Sequence, residues 1–138
     1  MRIVDRAVGI DLGTTNSEIA LLDPSERELV VHADRFGRRT VPSAVAWDAS
    51  AGQFVVGRAA RQRRGQKDAP VESIKRRMGQ SVRVAIGPHS LSPQEISAKI
   101  LIELRERMLA DLRVRVLEGF EPCVDRAVII VLVYFDAF

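Results

Sequence analysis

With only one cysteine, Cys123, the chain cannot close an internal disulfide, which fits a reducing compartment and argues against a stapled secreted fold. Its only histidines, His32 and His89, stand far apart with no ligand-like spacing around them, so no histidine- or cysteine-based metal centre is expected. Long apolar runs are also missing. The longest, Ala127 to Phe135, is about half the ~20 residues that a spanning helix needs, so no membrane association is expected. The chain opens without the charged, apolar and small-residue succession of an export signal, and the expected localisation is cytoplasmic. Neither a G-x-x-x-x-G-K-[ST] loop nor a G-x-G-x-x-G fingerprint occurs. No internal repeat or low-complexity linker is visible.

What is present suits one modest domain: 138 residues, 46% hydrophobic and 28% charged. The formal net charge is only +3, but the basic residues are uneven. Arg58, Arg61, Arg63, Arg64, Lys67, Lys75, Arg76 and Arg77 crowd one stretch against Asp68 and Glu72. Such a patch can attract polyanions. No aromatic residue interleaves it as single-strand binders require, so it reads as a solvated face and nucleic acid is not an expected partner.

Residues 6–12, "RAVGIDL", read as a buried strand, and 16–23, "NSEIALLD", as a second. Asp23-Pro24-Ser25 is turn chemistry, and "RELVVHA" makes a third strand, giving a meander. "AVAWD" and "QFVVG" form a strand pair around Ala49 to Gly52. A short basic helix is expected after Gly57, another over about Val71 to Met78 with Gly79 as its stop, and a strand at "VRVAIG". Ser92-Pro93-Gln94-Glu95 combines an N-cap serine, a proline at the first helical position and a glutamate three residues after the cap. Ile96, Ile100, Leu101, Leu104, Met108 and Leu112 then recur at helical spacing, predicting a helix to about Arg113. Beyond Gly119 and Pro122, "VDRAVIIVLVYF" has the β-branched density of a strand buried on both faces.

The turn "Asp11-Leu12-Gly13-Thr14-Thr15" between the first two strands carries the clearest chemical signal. A glycine at the apex lets backbone N–H groups converge on an anion, and threonine hydroxyls add donors without bulk. An aspartate at the strand end can hold magnesium through its water shell beside the same phosphates. The residues by themselves also suit a plain hairpin turn, and they leave both readings open.

"GIDLGTTNS" resembles the first phosphate loop of the actin-like ATPase superfamily of actins, sugar kinases and heat-shock chaperones. "GRRTVPSAVAW", "VESIKRRMG" and "LSPQEISAKILIELRERM" followed by "VDRAVIIVLVYFD" are similar, in order, to segments of the heat-shock protein 70 family. The resemblance runs from about Val8 to Asp136. It implies an α/β fold: the first lobe of an actin-like, ribonuclease H-like ATPase domain, incomplete, with a mixed sheet and an inserted small subdomain. Residues of about 1–39 and 114–138 would form the mixed-sheet part, and about 40–113 the inserted part and long helix. It implies ATP or ADP with Mg2+ as cofactors. Gly13, Thr14, Thr15 and Asn16 would touch phosphate, Asp11 would sit near the magnesium ion, and Lys75 would be the catalytic lysine that reaches the phosphate and orients the attacking water. Nucleotide, unfolded polypeptide, a J-domain co-chaperone and a nucleotide-exchange factor are the implied partners.

The resemblance also implies what to expect of this segment alone. The second phosphate loop, the adenosine-binding segment, the hinge and the peptide-binding domain have no counterpart in it. By itself it is expected not to hydrolyse ATP appreciably, since half a clamp forfeits most of the positioning on which such enzymes depend. The family's final-strand "T-V-P-A-Y-F" pattern is altered, with Leu132 at the proline position linked to signalling between domains. A non-catalytic interaction module or a degenerate gene product is the alternative. A sugar-kinase relative is disfavoured by "SIKRRMG" and "TVPS".

Overall fold

A computed structural model describes residues 2–23, 27–115 and 119–130. In chain order the strands are β1 (Arg2–Leu12), β2 (Asn16–Asp23), β3 (Glu28–Val31), β4 (Val41–Pro42), β5 (Ala44–Asp48) and β6 (Gln53–Val56). Helix α1 (Arg58–Arg61), strand β7 (Val71–Glu72) and a 3-10 helix (Ile74–Arg77) follow. Then come β8 (Val84–Ile86), β9 (His89–Leu91), the long helix α2 (Pro93–Arg115) and β10 (Phe120–Ile130).

The larger sheet is mixed, with order β10-β1-β2-β3 and β4 joined to β2. The predicted meander is there: β1, β2 and β3 run antiparallel in sequence order, while β10 returns parallel to β1. Alternation sorts the faces. Val8, Ile10 and Leu12 on β1 and Ser17 and Ile19 on β2 are buried on the inner side. Gly9, Asp11, Glu18 and Ala20 take the intervening positions and turn outward. A second sheet, β6-β5-β7, and the β8–β9 hairpin lie beyond β4.

Helix α2 covers the inner face. Ile96, Ile100, Leu104 and Met108, one turn apart in succession, are 0–3% exposed and join Val8, Ile10, Ile19, Val45, Ile74 and Val124 in one core. At roughly 2–3 kcal/mol for each fully buried large aliphatic side chain, this stripe is the main reason the helix docks. The start predicted for it is realised: the Glu95 N–H donates to Ser92 Oγ at 3.1 Å and the Ser92 N–H to Glu95 Oε2 at 2.7 Å. Both groups are orphans that a helix start must satisfy. Leu109, 3% exposed, belongs to the core as well, though the periodicity did not single it out.

Three expectations are corrected. The helix expected over Val71 to Met78 divides: Val71 and Glu72 pair with β5, Ser73 takes a left-handed φ of 55°, and only Ile74–Arg77 coils. The reason is that Ile74 alone in that short coil is buried, while the β5 edge offers Val71 and Glu72 backbone partners. The strand at "VRVAIG" shortens to β8 and pairs with β9, which sequence reasoning did not anticipate. Their turn packs on Trp47, and a Cβ at Gly87 (φ 57°) would lie 2.4 Å from Trp47 Cγ. His89 enters an aromatic cluster there, its ring centroid 4.6 Å from Trp47 and 5.0 Å from Phe54. Finally, β10 is not buried on both faces: Val124 is 2% exposed, but Val128 and Ile130 are 70% and 55% exposed. Residues 131–135 of the expected strand, and its Leu132, lie outside the described residues.

Candidate functional site: the β1–β2 turn

The turn from Gly13 to Thr15 joins the two strands after their last pair, Leu12 opposite Ser17. The chain folds back so tightly that a Cβ built on Gly13 would sit 2.0 Å from the Asn16 carbonyl oxygen. Since non-bonded carbon and oxygen stay about 3.3 Å apart or more, only glycine fits. Gly13 and Thr14 are half-buried, while Asp11, Thr15 and Asn16 are exposed. Asp11 faces Glu18 directly across the β1–β2 ladder, which sets two carboxylates side by side on the outer face. Glu18 was not singled out from sequence. Its place opposite Asp11 could have been read from a hairpin register with Gly13 to Asn16 at the turn.

A distant segment braces this turn. Strand β4 pairs with β2, setting Pro42 opposite Asn16 and Val41 opposite Ser17. The next residue, Ser43, is 3% exposed and makes three contacts. Its N–H donates to the Thr15 carbonyl at 2.8 Å, its hydroxyl donates to the Gly13 carbonyl at 2.8 Å, and its Oγ lies 2.8 Å from Ser17 Oγ. Ser17 and Ser43 are buried polar groups satisfied by one another and by the turn. Neither was recognised from sequence, where Ser17 reads as an ordinary residue of the second strand.

Lys75 comes from the 3-10 helix. No hydrogen bond or ion pair joins its ammonium to the turn or to any other described residue. The link is through the backbone: Ser43 clasps the turn, Ala44 beside it pairs with Glu72, and Lys75 lies one short coil further on. Glu72, the nearest acid in sequence, is occupied by Arg64 through two hydrogen bonds of 2.7 and 2.6 Å. That guanidinium holds the Glu72 carboxyl below its usual range. Arg63 is likewise held by Asp48 and Asp68. The basic patch is thus partly neutralised from within, while Lys75, Arg76 and Arg77 keep their charges without an ion pair among the described residues.

The donor set suits phosphate better than a bare metal ion. The tight bend at Gly13 places the turn's main chain beside hydroxyls on Thr14 and Thr15, groups that can donate to an anion. No cluster of three or more His, Cys, Asp or Glu side chains that could hold a metal occurs among the described residues. A divalent ion beside Asp11 and Glu18 would therefore draw its remaining ligands from water and from phosphate oxygens, as Mg2+ prefers. Among the described residues no helix is long and apolar enough to cross a membrane.

The mixed sheet, with β10 returning parallel to β1, the tight β1–β2 hairpin and α2 across the inner face, is consistent with part of an actin-like ATPase lobe. Comparison with known proteins narrows this: the family model described as "Hsp70 protein" matches residues 7–86. The "Chaperone protein DnaK" of Thermosipho melanesiensis is 48% identical over 101 residues, which is 72% of this chain and 16% of that protein. The "Chaperone protein DnaK" of Halobacterium salinarum is 37% identical over 134 residues, 96% of this chain and 19% of that one. The chain belongs to the Hsp70 family, and it spans less than a fifth of the length of these relatives.

Proposed function

We propose that this chain supplies one wall of the nucleotide site of an Hsp70-family chaperone, holding the phosphates of ATP or ADP at the β1–β2 turn. The observation that carries the reading is the Gly13 cradle, which admits no side chain and is braced from behind by Ser43. Gly13, Thr14, Thr15 and Asn16 present main-chain and hydroxyl donors to phosphate oxygens. Asp11, with Glu18 opposite, would hold Mg2+ through its water shell, and the ion would supply positive charge to offset that of the phosphates. Lys75 is the catalytic lysine: free of any carboxylate partner, its ammonium can turn to a terminal phosphate and orient the attacking water. Residues of about 1–39 and 114–138 make the mixed-sheet subdomain, and about 40–113 the inserted subdomain with the long helix.

Within a complete chaperone, this wall serves a cytoplasmic cycle in which ATP binding and hydrolysis gate the capture and release of unfolded polypeptide. A J-domain co-chaperone and a nucleotide-exchange factor would act on the whole protein, not on this wall alone. Phosphorus NMR of Mg-ATP with the 138-residue chain tests the reading. The γ-phosphate resonance is expected to broaden in proportion to protein and to sharpen with Lys75→Ala. Equal broadening by the variant would remove Lys75 from the site.

A further inference from the structure

The Gly13 cradle raises a problem that the turn does not solve alone. Glycine is required by the close approach of the Asn16 carbonyl, yet glycine also leaves the 13–14 peptide freer to rotate than any other residue would. An anion nest works only if its N–H groups already point outward before the anion arrives.

The hydrogen bonds at Ser43 have a fixed direction. A carbonyl oxygen only accepts, so the single hydroxyl proton of Ser43 is committed to the Gly13 carbonyl. The contact between Ser17 and Ser43 must then be donated by Ser17. The result is a one-way relay from the Ser17 hydroxyl to the Ser43 hydroxyl to the Gly13 carbonyl. In a trans peptide the C=O and the following N–H point in opposite directions. Drawing the Gly13 carbonyl toward Ser43 therefore turns the Thr14 N–H away from it. The Ser43 N–H adds a second tie, holding the Thr15 carbonyl at 2.8 Å and so fixing the far end of the turn. No described residue accepts the Thr14 N–H.

We propose that Ser43 is the positioning residue of the phosphate site: from 26 residues beyond Ser17 its hydroxyl pins the Gly13 carbonyl inward, and so aims the Thr14 amide outward at a phosphate oxygen. Ser43 touches no ligand itself. It replaces the stiffness that Gly13 lacks, and it makes anion affinity depend on the junction between β4 and β5. Ser17 supports this clip without setting its direction, because the Ser43 hydroxyl keeps its acceptor when Ser17 is removed.

The proposal rests on the reading of the turn as a phosphate site, and one experiment separates the two. The ¹⁵N-labelled chain is titrated with inorganic pyrophosphate while the Thr14 amide resonance is followed, in the natural sequence, in Ser43→Ala and in Ser17→Ala. Each variant removes one buried hydroxyl from the same pair, so general loosening of the core should affect both alike. The expected result is saturable movement of the Thr14 amide, at least tenfold weaker binding in Ser43→Ala, and binding within about twofold of the natural chain in Ser17→Ala even where its melting temperature falls. Equal affinity in Ser43→Ala overturns the positioning role while leaving the phosphate site standing. Equal loss in both variants makes the clip ordinary core packing and also overturns the role. A Thr14 amide that ignores pyrophosphate in the natural chain overturns the phosphate reading and this proposal with it.

Discussion

Replacing Gly13 by alanine tests how tightly the turn is built. The new Cβ would start 2.0 Å from the Asn16 carbonyl oxygen, and backbone, not a flexible side-chain tip, would have to move. It must retreat by about 1 Å or more to reach even a short normal contact. A shift of that size at Gly13 breaks the 2.8 Å bond from the Ser43 hydroxyl and leaves a buried donor unsatisfied. One stranded buried hydroxyl costs about 1–3 kcal/mol, and backbone displacement adds roughly 1 kcal/mol. The expected loss is therefore about 2–4 kcal/mol, a fall of roughly 10 °C in melting temperature for a domain of this size. Urea denaturation followed by far-ultraviolet circular dichroism measures it, with an unchanged m-value as the sign that stability alone has moved. A Gly13→Ala variant melting within about 2 °C of the natural chain would refute the geometry on which the site is built.

Acid should destabilise the protein through carboxylates held below their usual range. Backbone hydrogen bonding from Ser92 does this to Glu95, Arg64 to Glu72, the Ser50 hydroxyl to Asp48 and the Arg38 backbone to Asp34. Folded values lie below unfolded ones, so their stabilisation is present above about pH 4.5 and is lost as pH falls through the folded values; Glu95→Gln should flatten that decline in a melting-temperature series. The edge strand β10 exposes Val128 and Ile130, so the chain should self-associate, and Val128→Lys should reduce this more than Arg77→Ala when followed by size-exclusion chromatography with light scattering. A concentration-independent monomer in the natural sequence would show that this face needs no cover. Purified alone, the chain should release no phosphate from ATP above a protein-free control, and release abolished by Lys75→Ala would contradict that expectation.

The parts of the fold legible in the sequence are those governed by local chemistry. The start of α2 was readable because Ser92, Pro93 and Glu95 each satisfy a need of a helix end within four residues. The meander was readable because turn residues punctuate apolar runs. Misread elements depend on partners remote in sequence. Val71 and Glu72 carry no local signal for a strand, and become one because β5 presents a free edge. Exposure along β10 likewise depends on what lies over it, which a run of β-branched residues cannot say. The turn divides the same way. Gly13 announces itself as a sharp bend, whereas Ser43 gains its meaning only when β4 pairs with β2 and brings it against the Gly13 carbonyl. Glu18 is intermediate, since its place opposite Asp11 follows from the hairpin register alone.

If the β1–β2 turn holds phosphate as proposed, the affinity of this chain for a nucleotide resides in the phosphates. Calorimetric titration of the 138-residue chain with Mg-ATP and, in parallel, with adenosine tests this most directly. Saturable binding of Mg-ATP, weakened by Lys75→Ala, with no detectable binding of adenosine, is the predicted result. Adenosine binding as tightly as Mg-ATP, or neither binding at all, would contradict it.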